Sequence, residues 1–166
     1  SRNFANKLWN ASRFVLMHAG DKAYPLPETL RREDKWILTA LNALISEVTE
    51  NIERFELGVA AQKLYDFVWD SFCDWYIELA KPMLSEDGAA ADAAKGVLLY
   101  VLDKILKLLH PFMPFVTEEI YGCLPGVSDK LITSPWPVCV TEQMFEEDRI
   151  KTERMMAVIR AIRNRR

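Results

Sequence analysis

The first seventeen residues of the chain, SRNFANKLWNASRFVLM, carry two different stripes at helical spacing. At about 100° per residue, one stripe is apolar and has the spacing of a face that packs on a core: Phe4, Leu8, Ala11 and Val15. The opposite stripe, within an arc of roughly 120°, has amides, cations and one ring but no carboxylate: Asn3, Asn6, Lys7, Asn10, Arg13 and Phe14. Because rings stack on unpaired bases, amides read base edges and cations meet phosphates, this second face predicts contact with single-stranded nucleic acid.

The charge of the chain is distributed unevenly. Residues 1–20 carry a net charge of +3, residues 145–166 carry another +3, and the middle of the chain carries −9, which leaves −3 overall. A negative total is unusual for a protein that adheres to nucleic acid generally. Positive charge kept at the two ends favours contact with a defined stretch of backbone instead.

Composition excludes several function classes. Half of the residues are hydrophobic and 11% are aromatic, which is enough for a core. No run of eighteen apolar residues occurs, so no membrane span is predicted. Three widely spaced cysteines form no CxxC pair and only two histidines are available, so the sequence predicts no metal site and favours a reducing, cytoplasmic setting.

Helical periodicity dominates the rest of the chain and predicts an all-α bundle of four to five helices plus a C-terminal helix. No alternation strong enough for a sheet is present, apart from a short extended piece predicted at Lys130–Thr133. A loop follows the first helix at Gly20 and Pro25–Pro27, and the third helix is expected to stop at Pro82. After the first, the predicted helices are about Trp36–Arg54, with an opening at Glu28–Lys35, then Val59–Lys81, Ala91–Leu109, Phe115–Cys123 and Glu146–Arg166.

The third predicted helix is rich in aromatic residues and also carries a row of carboxylates. Trp69, Phe72 and Tyr76 share a face by their spacing, so they are expected to be mostly core. Asp66, Asp70 and Asp74 repeat at every fourth position. We expect this row to be solvated or paired with basic neighbours, because hard cations need oxygens that converge from several elements. Outside this helix, Trp136 between two prolines is expected to fasten the long loop to the bundle.

Four segments, in this order, resemble one protein family: RNFANKLWNASRFVLM, YDFVWDSFCDWYIELAK at 65–81, LHPFMPFVTEEIYGCLP at 109–125 and SPWP at 134–137. Together they are similar to the anticodon-binding domain of the valyl-tRNA synthetases, class I aminoacyl-tRNA synthetases of bacterial type. The third segment is shared more loosely with the isoleucyl and leucyl enzymes. NKLWNASRFV and FCDWYIE are closer to the valyl pattern.

The resemblance implies a helical anticodon-binding bundle at 1–145 and a C-terminal helix at 146–166 that leads toward a coiled-coil arm. It implies tRNA(Val) as the partner, the enzyme's own catalytic domain as a second partner, and a monomer. No HIGH-like or KMSKS-like motif occurs in the chain. The chain is therefore expected to be a non-catalytic piece of an ATP- and Mg-dependent ligase, with no catalytic residue and no cofactor of its own.

The residues that the resemblance implies for anticodon contact lie on the first and third helices. Glu78 is the candidate acceptor for the amino group of a cytosine, since the valine anticodon ends in A and C, and Ile77 is the candidate apolar platform. Arg2, Asn3 and Asn6 are candidates for contact with the tRNA backbone. The first-helix candidates for the anticodon are Lys7, Asn10, Arg13 and Phe14.

Each of these assignments has an alternative that the sequence leaves open. The stripe on the first helix could pack against the catalytic domain, with Trp9 and Arg2 at its edge, or Phe14 could fold into the core. Glu78 could pair with Lys81 on a solvated face. The basic end of the last helix could touch tRNA backbone or begin the arm. The whole chain could also belong to an isoleucyl or leucyl enzyme, or serve as a helical scaffold that docks on proteins.

Overall fold

The computed structural model describes residues 2–165, and Ser1 and Arg166, at the ends of the first and last predicted helices, lie outside the described residues. Within that range the chain is helical and has no β-strand, which confirms the all-α prediction. The helices are α1 Arg2–Ala19, α2 Arg32–Glu53, α3 Leu57–Asp66, a π-helical segment Phe67–Tyr76, α4 Ile77–Leu84, α5 Ala89–Leu109, α6 Pro114–Tyr121 and α7 Glu146–Asn164. None of the helices in residues 2–165 is both long and apolar enough to cross a membrane.

Helix α1 buries the predicted apolar stripe. Phe4, Leu8 and Val15 are at most 4% exposed, and the helix packs against α5 and the π segment. Gly20 ends the helix in the left-handed region, at φ +63°, where a residue without Cβ meets no steric penalty. Its N–H donates to the carbonyl of Leu16 at 2.9 Å. The polar stripe therefore lies on the outward side, as its spacing predicts.

Helices α3 and α4 form one continuous rod, because the π segment joins them without a break. The predicted stop at Pro82 is wrong, since Pro82 lies inside α4. Proline removes one backbone donor from a helix, and here only Met83 and Leu84 follow it, so the loss falls in the last turn. Burial of Ala80 and Leu84 holds that turn, and α4 packs against α5.

The inner side of the π segment is anchored to the start of α2. Tyr76 is fully buried, and its hydroxyl donates to Asp34 Oδ1 at 2.6 Å. The other carboxylate oxygen of Asp34 accepts the Arg31 N–H at 3.0 Å, so the same side chain also caps α2. Burial raises the pKa of Asp34, although the Tyr76 hydrogen bond acts in the opposite direction.

Helix α2 holds the long segment that precedes α7. Its buried Thr39 accepts the Phe145 N–H at 2.8 Å, and its buried Asn42 accepts the Val140 N–H at 2.8 Å. Two turns further along, Thr49 Oγ1 accepts the indole N–H of Trp136 at 2.8 Å, so Trp136 fastens the loop as predicted. Helix α7 then packs along α2. The domain boundary predicted at residue 145 stays a prediction.

Two further features of the connections differ from, or extend, the sequence prediction. The extended piece predicted at Lys130–Thr133 is wrong, because Leu131–Thr133 form a 3-10 turn. The Glu118 carboxylate accepts the Leu131 N–H at 2.7 Å, so this backbone has a side-chain partner instead of a strand. In the middle of α5, Gly96 lets the backbone of the α1–α2 loop approach closely, since a Cβ there would lie 2.0 Å from the carbonyl oxygen of Pro25.

Candidate anticodon interface

A surface groove of about 610 Å³ lies between α1, the π segment, α4 and the end of α7. We call it the polar groove. Its walls bring together five of the residues singled out from sequence: Lys7, Asn10, Phe14, Ile77 and Glu78. The other residues that line it are Ala11, Asp70, Cys73, Asp74, Trp75, Lys81, Arg160 and Arg163. The first and third helices therefore meet at one site, as the resemblance implies.

On the α1 wall, Lys7 is fixed by two contacts with the third helix. Its Nζ donates to Asp74 Oδ1 at 2.9 Å and lies 4.5 Å from the centre of the Trp69 ring. Asp74 thus has a basic partner, as does Asp70 further along the row. The third carboxylate of the row, Asp66, is exposed and accepts a hydrogen bond from the Gln62 amide at 2.9 Å, so the row is partly paired with cations and partly solvated, as expected.

Phe14 lies half-buried at the edge of the same wall. Its ring centre is 4.6 Å from that of His18 on the next turn and 5.7 Å from Lys81 Nζ across the groove. It is not folded fully into the core, although it packs against core residues. Asn10 is exposed beside it. A ring and an amide are therefore available on the same stretch of the groove.

On the α4 wall, Glu78 is exposed and Ile77 is only 6% exposed. Glu78 and Lys81 form an ion pair one turn apart. The pairing on a solvated face that the sequence left open for Glu78 is therefore present. A carboxylate at the groove can still accept an amino group, because each of its oxygens has two lone pairs. Ile77 offers the groove an edge and not an open platform.

Four sequence candidates lie outside the groove lining. Arg13 is exposed on α1, one turn beyond Asn10 and next to Phe14. Arg2, Asn3 and Asn6 are exposed toward the start of the same helix. The polar stripe therefore continues past the groove toward the start of α1, and Arg13 lies beside the groove.

The α7 wall contains residues from the basic end of the last helix, for which the sequence left two roles open, contact with tRNA backbone or the start of the arm. Arg160 donates to Asp70 Oδ2 at 3.2 Å, and its guanidinium carbon lies 5.0 Å from the centre of the Trp75 ring. Arg163 lies 5.5 Å from the same ring. Their i, i+3 spacing puts both arginines on one face of α7. That spacing was the available signal, but nothing in it indicates which helix the face meets.

Comparison with known proteins identifies the family. The family model described as the anticodon-binding domain of tRNA ligase matches residues 34–166. This chain belongs to that family. It is 45% identical over 169 residues to the valine--tRNA ligase of Staphylococcus carnosus, covering 99% of this chain and 19% of the relative. It is 46% identical over 166 residues to the valine--tRNA ligase of Bacillus subtilis, covering 98% of this chain and 19% of the relative.

This anticodon-binding domain therefore spans about a fifth of the length of the curated relatives it matches. A solved structure shares its fold, namely the crystal structure of the ternary complex of Agrobacterium radiobacter K84 agnB2 LeuRS-tRNA-LeuAMS. The TM-score is 0.64 at 19% identity, over 87% of this chain and 17% of that chain. The helical bundle predicted from sequence is thus the fold of this family.

The lining of the polar groove combines a thiol with aromatic, amide and charged groups. Cys73, which lines it, is a poor nucleophile because burial raises the pKa of its thiol to about 12. Among residues 2–165, no three His, Cys, Asp or Glu side chains converge as metal ligands. The anticodon-binding domain instead presents a ring, an amide, cations and carboxylates within one groove, and these groups can stack on bases and hydrogen-bond to them.

Proposed function

We propose that this domain recognises the anticodon loop of tRNA(Val) as part of a valine–tRNA ligase. The observation that carries the proposal is the convergence of Lys7, Asn10, Phe14, Ile77 and Glu78 around one groove. The relatives that match nearly the whole chain at 45–46% identity are valine–tRNA ligases, which supports the choice of amino acid. Arg13 beside the groove supplies a further guanidinium, and Arg2, Asn3 and Asn6 extend the same face toward the backbone of the tRNA.

The role is one of positioning. A bundle that grips the anticodon loop sets the distance and angle at which the other end of the tRNA reaches a remote active site. Discrimination between tRNAs affects the rate of aminoacylation only if the correct tRNA is bound more tightly than the others in the transition state. The catalytic domain, with its ATP and Mg, belongs in this proposal to the rest of a monomeric, cytoplasmic ligase, and this domain contributes no catalytic residue.

The first experiment replaces Arg13 in the full-length ligase. Arg13→Ala is expected to lower kcat/KM for tRNA(Val) by roughly 5- to 150-fold, corresponding to a base or phosphate contact of about 1–3 kcal/mol. Valine activation, measured by ATP–pyrophosphate exchange, should not change, because that step needs no tRNA. Arg32→Ala, which removes an exposed arginine outside the groove, is the control. Unchanged charging by Arg13→Ala would contradict contact between Arg13 and tRNA.

The second experiment asks whether Glu78 reads the last anticodon base or serves only Lys81. Glu78→Gln should reduce the penalty that the ligase imposes on tRNA with that base changed, since a cytosine amino group would lose its charged acceptor. Lys81→Gln breaks the same ion pair and leaves the carboxylate in place. Equal effects of the two variants would mean that the pair, and not the base contact, is what matters.

Two other functions make different predictions. If the domain belongs to an isoleucyl or leucyl enzyme, binding should follow those anticodons, and filter binding with the three tRNAs separates the cases. If the bundle only docks on proteins, adding salt should hardly weaken its interaction. RNA binding should weaken steeply with salt, because cations that neutralise phosphates release bound counterions.

A further inference from the structure

The end of α7 folds back onto the third helix at the polar groove, and one aromatic ring holds it there. Trp75 is only 6% exposed. Arg160 lies 5.0 Å and Arg163 5.5 Å from its ring centre, distances at which a guanidinium is attracted to the face of an indole. Trp75 therefore contacts two guanidinium groups, of which Arg160 is also paired with the Asp70 carboxylate and Arg163 is not.

The charges of the groove are matched in pairs, with one exception. Lys7 has Asp74, Lys81 has Glu78 and Arg160 has Asp70 as ion-pair partners. Arg163 is exposed, and within residues 2–165 no carboxylate oxygen lies within 4 Å of it. Contact with a ring positions a guanidinium but leaves its N–H donors, which here face water, available to an acceptor on a ligand. The groove thus carries one cation more than carboxylates, and that cation is on α7.

A backbone phosphate fits this position better than a base edge does. A guanidinium offers planar, paired donors that match the oxygens of a phosphate, and charge-assisted bonds of this kind are among the strongest available to a side chain. The acceptor and stacking groups that could read a base, Glu78 and Phe14, lie on the α4 and α1 walls. The α7 wall presents Arg160 and Arg163, and both lie over the Trp75 ring, so that ring is not free to stack on a base.

We propose that Arg163 binds a phosphate of the anticodon-loop backbone, and that Trp75 and the Asp70–Arg160 pair hold the end of α7 in position for that contact. The assignment rests on the proposed function, because it takes the strand in the groove to be the anticodon loop. It adds a third wall to a site that the sequence located on two helices. It also gives the basic end of α7 a role in binding RNA.

The test measures the affinity of the full-length ligase for tRNA(Val) as a function of salt, comparing Arg163→Gln with the wild type. Losing one phosphate contact should reduce the slope of log K against log salt by about 0.7 and weaken binding roughly fivefold at 0.1 M salt. The loss should be the same for tRNAs with altered anticodons, because a phosphate carries no sequence information. Arg163→Lys should keep the salt slope, since it keeps the charge.

Arg154→Gln is the matched control, because Arg154 is exposed on the same helix and does not line the groove. If the wild type binds tRNA(Val) and Arg163→Gln behaves like Arg154→Gln, the assignment of Arg163 is wrong while the proposed function stands. A loss that depends on the anticodon sequence would also overturn it, because Arg163 would then read a base. If the wild type does not prefer tRNA(Val), the proposed function itself fails.

Discussion

Two of the grooves formed by residues 2–165 have nearly equal volume and opposite chemistry. The polar groove encloses about 610 Å³ and is lined by four cations and three carboxylates among its residues. A second groove of about 620 Å³, which we call the apolar groove, is lined by Thr49, Ile52, Glu53, Leu57, Gly58, Pro111, Phe112 and Trp136. In the first, side chains are held by partners of opposite charge. In the second, Ile52, Phe112 and Trp136 are half-buried and pack against the hydrophobic core.

The difference matters because the two kinds of contact respond differently to substitution. Exposed ion pairs contribute little to the free energy of unfolding, commonly about 0–1 kcal/mol, because water replaces them well. A large apolar side chain has no such replacement in water. We therefore expect changes in the apolar groove to lower stability and changes in the polar groove to alter binding.

The largest effect is expected from Trp136→Ala in the apolar groove. The indole is partly buried and holds the loop to Thr49, so its removal should lower the free energy of unfolding by about 3 kcal/mol. Urea denaturation measures this, and tRNA affinity at low temperature, where the variant is folded, should stay unchanged. Val138→Ala is the control, because Val138 is 77% exposed in the same loop. A loss of binding without a loss of stability would reverse the assignment of the two grooves.

Tyr76→Phe tests the buried support beneath the polar groove. Asp34 would lose the donor to its Oδ1, which should cost about 1–3 kcal/mol at neutral pH. Burial raises the pKa of Asp34 above its ordinary value of 3.8, and the Tyr76 bond lowers it. The stability that Asp34 contributes is therefore present at low pH and declines as pH rises through its raised pKa.

Without the hydroxyl, the pKa of Asp34 should rise further, so the deficit of Tyr76→Phe should grow as pH increases from below 3.8 toward neutrality. Urea unfolding across that range measures the deficit. Tyr65→Phe removes a hydroxyl from a residue that is 37% exposed, and it should show no such trend. A deficit independent of pH would mean that the Tyr76 bond does not sense the ionisation of Asp34.

Asp74→Asn tests whether a change of charge in the polar groove alters RNA binding and leaves stability nearly unchanged. Lys7 would lose its carboxylate partner and the groove would gain positive charge. Binding of tRNA should therefore tighten, by about two- to threefold at low salt, and the gain should vanish as salt is added. The free energy of unfolding should change by less than about 1 kcal/mol.

Asp66→Asn is the matched control for that change, because Asp66 is exposed on the same rod and does not line the polar groove. Equal tightening in both variants would show a general effect of net charge. Weaker binding by Asp74→Asn would show that Asp74 itself contacts the RNA.

The smallest effect is expected from Phe115→Ser. Phe115 is 90% exposed and lies outside the lining of the apolar groove, so its loss should change the free energy of unfolding by less than about 0.5 kcal/mol. Chemical denaturation beside Trp136→Ala provides the comparison. A loss as large as that of Trp136→Ala would mean that apolar surface around the groove, and not its lining, carries the stability.

Local periodicity was sufficient to predict the faces of α1. Phe4 and Leu8 are buried and Asn3 and Asn10 are exposed. The spacing of residues along a regular helix determines which of them share a face, so this outcome needs no information from the rest of the chain. The approximate extents of α2, α5 and α7 follow from the same signal. Five groove residues could be named on this basis together with the family resemblance, and the structure brings them together.

The pairings within the groove could not be predicted in the same way. Lys7 and Asp74 are 67 residues apart in sequence, and Asp70 and Arg160 are 90 apart. Such contacts depend on how helices cross, and side-chain spacing within one helix does not specify that. The π segment was also missed, because its residues carry no pattern that distinguishes a π-helix from an α-helix. The helix end predicted at Pro82 was wrong because a proline in the last turn of a helix removes only one backbone hydrogen bond.

The π segment affects how the polar groove would respond to the loss of a residue. It lies between α3 and α4, and it contributes Asp70, Cys73, Asp74 and Trp75 to the groove while α4 contributes Ile77 and Glu78. In a regular helix one residue turns the chain by about 100°, and wider turns arise where extra residues are accommodated. Deleting one residue within Phe67–Tyr76 is therefore expected to be absorbed by a return to α-helical turns, whereas the same deletion in a regular helix would rotate every later residue by about 100°. We therefore expect a single-residue deletion to be tolerated better in the π segment than in the regular helices on either side of it.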